Sequence, residues 1–281
     1  MGGPEQSGTD TAYLRDHQYR DPSNLNARIA LHAKYARSDE PWYPWLISRV
    51  DWAPGVRVLE VGCGSGALWV NVAPLLPAVR LTLTDLSPGM VTAATSAVGP
   101  LTNIELDGAQ ACDVQDLPFE TGAFDIVVAN HMLYHAPDPE RAARELARVL
   151  MPDGALLAAT NGPRHLDVIR EITREVFGWS SIDGAVARFA PESGERLLRG
   201  AFGSVTWHPH PSTMVCTDPA DVYAFIKSSP AGQEANNEQL AALHRAIDDR
   251  FEAAGGRLPI STEAGAFVAS VPARLRGTPR T

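Results

Sequence analysis

Residues 57–66, RVLEVGCGSG, constrain this chain more than any other stretch. The apolar residues Val56, Val58, Leu59 and Val61 read as a buried strand. That strand breaks into Gly62-Cys63-Gly64-Ser65-Gly66 before the helix-like ALWVNVA. A strand, a glycine turn and a helix let backbone approach a nucleotide-like ligand, with helix N–H groups aimed at it. The spacing separates two ligand chemistries. A dinucleotide turn has the form G-x-G-x-x-G and cradles a pyrophosphate. Here the form is E-x-G-x-G-x-G, and Glu60 closes the strand where a diphosphate would be repelled. A carboxylate at that place suits a ligand carrying an ammonium group. Glu60, Gly62, Gly64 and Gly66 are therefore candidate ligand residues, although similar glycines also make plain tight connections.

The rest of the chain alternates strand and helix patterns. RLTLT (80–84) is an alternating strand ending in Asp85 and Leu86, and a helix over 89–98 follows with Pro88 near its first turn. Residues 103–107 form a short strand, and FDIVVA (124–129) is the clearest buried strand. A helix over 139–150, a turn at Pro152-Asp153-Gly154 and a strand over 155–160 follow. Such alternation argues for a parallel α/β sheet. Beyond 162 the pattern loosens. The expectations there are a helix over 163–177, a loop over 178–190, a short helix over 191–200, a strand over 204–215, helices over 220–227 and 234–254, and a final strand over 265–271. Residues 1–12 read as a flexible start and the tail from 272 as disordered.

Before the first strand, 13–50 is helical in two or three pieces, with Ile29, Ala30, Ala33 and Ala36 at helical spacing. One reading is a helix packed on the sheet edge. The other is a lid over the ligand, given the aromatic company of Tyr13, Tyr19, His32, Tyr35, Trp42 and Trp45. The division expected is an N-terminal helical extension over 1–50, a ligand-binding core over 51–162, and elements over 163–281 that complete the same domain and build a second pocket.

Asp85 lies 25 residues beyond Glu60 at the end of the next strand, where an acidic side chain can accept both hydroxyls of a ribose. Its alternative is a helix N-cap, which Ser87 could provide equally well. His131 and His135 in ANHMLYHAPDP are four apart, but HMLYH lacks the glutamate of H-E-x-x-H and no third ligand is evident, so no metal is expected. His208 and His210 share a strand face and are equally weak evidence for one. His135 is a candidate catalytic general base near neutral pH, or a residue that only shapes a pocket.

Taken together, VLEVGCGSG, LTD, DVQDLPF and FDIVVANHMLYHAPDPERAARELARVLMPDG resemble the class I S-adenosylmethionine (SAM) methyltransferases of type 11. The resemblance covers about residues 50–162. It implies a Rossmann-like fold: a seven-stranded, mostly parallel sheet with helices on both faces and an N-terminal helical cap. It also implies SAM as cofactor and S-adenosylhomocysteine (SAH) as product. Glu60 and the three glycines then serve the methionyl end, and Asp85 and Leu86 the ribose. Asp113, with Asp116 as its competitor, takes the adenine amino group, Val114 flanks the ring, and Asn130 lies beside the methyl being transferred. One departure is Pro152-Asp153-Gly154, where the family has a proline and two glycines; Asp tolerates left-handed geometry.

A sulfonium methyl is already electrophilic, so catalysis is largely alignment of an acceptor in a dry pocket. Candidate acceptor residues are Tyr13, Tyr19, Trp179, Trp207 and His208, each with core packing as its alternative. The lead-in NLNARIALHAKY and WYPWL, the Ala- and Arg-rich composition and the long C-terminal part resemble bacterial natural-product tailoring enzymes. A looser resemblance is to C-methyltransferases of prenylated indoles, in which a tyrosine-bearing N-terminal helix acts as a lid, sometimes exchanged between subunits. The resemblance thus implies a small-molecule acceptor and allows a homo-oligomer through that helix.

Composition bounds the rivals. A formal charge of −9 argues against a nucleic-acid surface, and against a methyltransferase acting on protein or nucleic acid. No apolar run reaches the ~18 residues of a membrane span. The polar N-terminus lacks a secretory h-region, and Cys63, Cys112 and Cys216 form no C-x-x-C; a cytoplasmic, reduced protein is expected. A nicotinamide-linked oxidoreductase is disfavoured by the turn spacing, and a SAM-binding sensor by motifs that are all intact.

Overall fold

The computed structural model describes residues 8–270. The expected disordered tail, and most of the expected flexible start, lie outside them. Within them, residues 8–12 already include an ordered start: the Asp10 carboxylate accepts from the Ala12 and Tyr13 amides and caps a short helix, Thr11–Tyr13.

The strands are β1 (Ala36–Arg37), β2 (Arg57–Val61), β3 (Val79–Asp85), β4 (Ile104–Ala111), β5 (Phe124–Asn130), β6 (Leu150–Asn161), β7 (Ser204–His210), β8 (Thr213–Cys216), β9 (Leu258–Ile260) and β10 (Ala264–Ser270). Seven make one sheet in the order β4-β3-β2-β5-β6-β10-β7. β10 runs antiparallel to both β6 and β7, and β4-β3-β2-β5-β6 is parallel throughout. The expected fold class is therefore the observed one. Val58, Leu59 and Val61 of β2, and Ile126, Val127, Val128 and Ala129 of β5, are buried, as a parallel sheet covered on both faces requires.

One face packs Leu59, Val127 and Leu156 under helix Pro139–Val149, whose Ala142, Leu146 and Val149 form an inward stripe. Asp138 caps that helix by accepting from the Arg141 amide at 2.9 Å. The other face packs Val58, Leu81 and Val128 against Trp45, Leu46 and Trp69. Helix Trp42–Ile47 thus belongs to the sheet's own core. Asp153 has φ 65, the left-handed geometry that the departure from two glycines needs.

A third core lies off the sheet. Leu31 and Tyr35 of helix Ser23–Tyr35 pack with Ile169, Ile172, Phe225, Leu243 and Phe251, and with Met214, Leu258 and Ile260 of a small sheet ordered β1-β8-β9. The N-terminal helix therefore sits in a cap shared with the C-terminal elaboration, and not on the sheet edge. Three expectations need correction. The strand over 204–215 is two strands, β7 in the main sheet and β8 in the cap, because Pro211 and Ser212 turn the chain between sheets. The loop over 178–190 contains helix Ser181–Arg188, whose Asp183 is held by Arg170 and Arg174. The helix over 163–177 starts only at Asp167, since Leu166 adopts φ 57.

Candidate active site

The strand order reverses between β2 and β5, the place where open α/β sheets bind ligands at the carboxyl ends of their strands. Gly62, Gly64 and Gly66 have φ 63, 53 and 77, so the three-glycine spacing is required by backbone geometry. A Cβ on Gly66 would lie 3.1 Å from the Ala94 backbone. Glu60 is 2% exposed and accepts from the Trp69 indole N–H at 2.6 Å. Burial pushes its pKa up to about 8, the indole hydrogen bond pulls it down, and the Asp85 charge raises it further. Trp69 and the nearby Tyr43, which the Glu60 charge helps push up to about 12 after burial, were not singled out from sequence. The signal for Trp69 was an aromatic residue one helical turn after the glycines, and Tyr43 carried none beyond its place in WYPWL.

Asp85 accepts from the Gly64 amide at 2.9 Å and the Ser87 amide at 2.9 Å. Desolvation raises its pKa against those backbone hydrogen bonds. The N-cap role falls to Ser87, whose hydroxyl accepts from the Met90 amide at 3.3 Å. Leu86 is half-buried beside them. Asp113 accepts from the amide and side chain of Gln115, and Gln115 in turn accepts from the Asp138 amide at 2.8 Å. Val114 is buried in the core. At the end of β5, the Oδ1 of Asn130 and the Nδ1 of His131 are buried without a hydrogen-bond partner among the described residues, and His131 has φ 56.

The N-terminal segment closes over this edge. A Cβ on Gly64 would meet Leu25 at 2.8 Å, and one on Gly89 would strike the Arg20 carbonyl. Tyr19 and His135, 116 residues apart in sequence, form a 2.9 Å hydrogen bond between the phenol oxygen and Nε2. Nδ1 of His135 lies 2.9 Å from the Gly8 carbonyl. A carbonyl only accepts, so Nδ1 carries the ring hydrogen and Nε2 accepts from the Tyr19 hydroxyl. Desolvation lowers the His135 pKa to about 4, and Arg28 and Arg188 lower it too, against the pull of Gly8.

Near this edge lie Trp42 and His32, which the sequence placed in a possible lid, together with His165 and Tyr134, which it did not single out. Trp42 lies 5.0 Å from His131 and 5.3 Å from His210, centroid to centroid. His32 stacks on His165 at 5.5 Å, and Tyr134 abuts His135. Among the described residues no group of three or more His, Cys, Asp or Glu could hold a metal ion.

The other expected acceptor residues are elsewhere. Tyr13 lies tilted against His17 and lines a surface cavity of about 260 Å³ with Gln18, Arg20, Gln233 and Glu234. Burial, then Glu234, raises its pKa. Trp207 packs on Phe267 in the sheet core. His208 sits on edge strand β7 opposite Ala266, with Arg49 as its charged neighbour. Trp179 is half-buried just before helix Ser181–Arg188. The first three point to other surroundings because alternation along β7 and the single wide helical turn over Leu14–Gln18 set their directions, which spacing alone does not reveal.

Residues 59–158 match the family described as methyltransferase domain. The ubiquinone biosynthesis O-methyltransferase of Xanthomonas oryzae pv. oryzae is 35% identical over 165 residues, 55% of this chain and 65% of that one. Residues 59–158 are thus a methyltransferase domain, set in the Rossmann-like sheet described above. The chain spans about two thirds of that relative, just short of it at 65%. Two solved structures carry the fold likeness of this methyltransferase domain and its cap. The [4+2]-cyclase SpnF aligns at a TM-score of 0.61 and 19% identity, over 93% of this chain and 97% of that one. A phosphoethanolamine N-methyltransferase 2 of Haemonchus contortus, solved with S-adenosyl-L-methionine, aligns at 0.57 and 17%, over 95% of this chain and 60% of that one. No helix among the described residues is long and apolar enough to cross a membrane.

Proposed function

We propose that the protein transfers the methyl group of SAM to a small-molecule acceptor in secondary-metabolite biosynthesis. The observation that carries this reading is the buried Glu60 carboxylate beneath the glycine turn, with its pKa pushed up to about 8. A buried acid of that kind is completed by a cation, and the ammonium of SAM is one. In this reading Asp85 and Leu86 hold the ribose, Asp113 and Val114 the adenine, and the unpartnered Oδ1 of Asn130 meets the polar methionyl end. Bound SAM supplies a methyl group already activated by its sulfonium.

The protein's part is then to orient the acceptor, exclude water and take a proton. Segment 19–25, lying over the glycine turn, excludes water. Tyr19 faces the acceptor, and the acceptor's proton passes to the phenol oxygen as the phenol proton moves to Nε2 of His135. Because His135 is held at about 4, it takes that proton only as methylation makes the acceptor acidic. An uncharged amine acceptor would need no such help before attack. The surroundings of Tyr19, Tyr134 and Trp42 suit a flat apolar body, such as a prenylated indole.

The test uses SAM with a labelled methyl group, incubated with the protein and a small-molecule extract of the source organism. A labelled product, absent with Asp85→Ala, supports the reading and identifies the acceptor class. No label while SAH still binds would favour a SAM-binding protein that does not methylate. No binding at all would end the proposal.

A further inference from the structure

A second cavity lies beside Arg28 in the cap. It measures about 30 Å³ and is lined by Arg28, Ile169, Thr173, Ser180, Ser181, Ile182, Phe225, Ile226 and Ser229. That is room for about two water-sized atoms. Arg28 enters it from helix Ser23–Tyr35, with its guanidinium carbon 5.2 Å from the Tyr19 ring centroid. Its Nε donates to the Asn24 carbonyl at 3.2 Å, but its Nη2 is buried with no partner. Among the described residues no carboxylate pairs with Arg28. A partly buried cation without a counter-charge is costly and calls for one.

The opposite wall supplies donors. Ser180 is the N-cap of helix Ser181–Arg188 and makes no side-chain cap bond. The Thr173 and Ser229 hydroxyls are turned to their own helix carbonyls, whereas those of Ser180 and Ser181 have no acceptor among the described residues. The one acid in that first turn, Asp183, is already paired with Arg170 and Arg174. A guanidinium, two free hydroxyls and the amide end of a helix thus converge on a space for two oxygens.

We propose that this cavity is a subsite for a carboxylate carried by the methyl acceptor, with Arg28 as its specificity-determining residue. The assignment to the acceptor rests on the methyl-transfer reading; the carboxylate site itself does not. The carboxylate docks against Arg28, Ser180 and Ser181, and the apolar body of the acceptor passes the Tyr19 ring toward the Tyr19–His135 pair. Replacing the carboxylate by a neutral amide leaves Nη2 without an anionic partner, which is what gives the site its selectivity.

The test is saturation-transfer NMR on SAH-saturated protein with benzoate and benzamide as observed probes and inorganic phosphate as a competitor that displaces benzoate. The expected result is saturable benzoate binding with benzamide at least tenfold weaker. Benzoate affinity falls at least tenfold in Arg28→Met and partly recovers in Arg28→Lys, while SAH affinity and Tm stay at or above wild type. Benzamide binding as tightly as benzoate, benzoate binding unchanged in Arg28→Met, or no saturable benzoate binding would each overturn the proposal. Phosphate binding in preference to benzoate would overturn the carboxylate assignment. A lowered Tm with unchanged benzoate binding would make Arg28 a packing residue on Tyr19. Failure of wild-type protein to bind SAH, with benzoate still bound through Arg28, would sink the methyl-transfer reading and leave the subsite standing.

Discussion

At the scale of single residues, the site is defined by charges placed where water cannot reach. Glu60 has a folded pKa of about 8 against roughly 4.3 in an unfolded chain. The folded state therefore holds a proton that the unfolded state has released, and ligand-free stability falls as pH rises from about 4.3 to about 8. Glu60→Gln removes that slope: its ligand-free Tm should exceed wild type at pH 8, by about 2–4 °C per kcal/mol, and match it near pH 4. Thermal unfolding at the two pH values checks this. The same variant should bind SAH at least about 100-fold more weakly, since it loses a buried charged hydrogen bond. The Tyr19–His135 pair predicts a different signature. Tyr19→Phe and His135→Gln should each lower kcat about 10²–10⁴-fold with SAH affinity unchanged, read by labelled-methyl turnover beside calorimetry. Loss of SAH binding in either variant would count against their acceptor-side role.

At the scale of elements, the glycine turn and the N-terminal segment carry the consequences. Gly66 begins helix Ala67–Val72 with φ 77, and an added Cβ would crowd the Ala94 backbone at 3.1 Å. Gly66→Ala should cost about 1–3 kcal/mol, measured as a lower urea midpoint. Truncation of residues 1–25 removes Tyr19 and Leu25 but keeps Leu31 and Tyr35 in the cap core. The truncated protein should fold, bind SAH and transfer methyl groups at least about 100-fold more slowly. Full activity with an unchanged size in solution would refute both the lid and any exchange of this segment between copies.

At the scale of the whole molecule, four desolvated histidines set the response to acid. His32 is lowered to about 4, His131 to about 3, His135 to about 4 and His165 well below its ordinary value. Burial is the first cause in each case. The unfolded chain, with histidines near 6.5, binds more protons below that pH. Their contribution to stability is full above about 6.5 and is lost as pH falls toward 4, at up to about 1.4 kcal/mol per pH unit for each histidine. Glu60 acts in the opposite sense, so the ligand-free Tm should peak near pH 6.5, fall steeply on the acid side and gently toward pH 8. A Tm profile still flat at pH 5 would contradict the burial of this group.

The sequence alone determined the sheet and the cofactor-side candidates, because both rest on local pattern. Glu60, the three glycines and Asp85 sit on one strand-turn-helix and the next strand end, and the apolar runs of β2 and β5 admit little but central parallel strands. Only the tertiary structure decided the acceptor side. Tyr19 meets His135, and Arg28 lines one cavity with Ser180 and Ser181, across long stretches of chain that carry no shared period. Tyr13, Trp207 and His208 look as suitable as Tyr19 in one dimension, yet a turn or a strand face directs them elsewhere. Side-chain direction and long-range packing, which fix who faces whom in the cap, are set by the cores that form when the chain closes on itself, and not by any residue's neighbours in sequence.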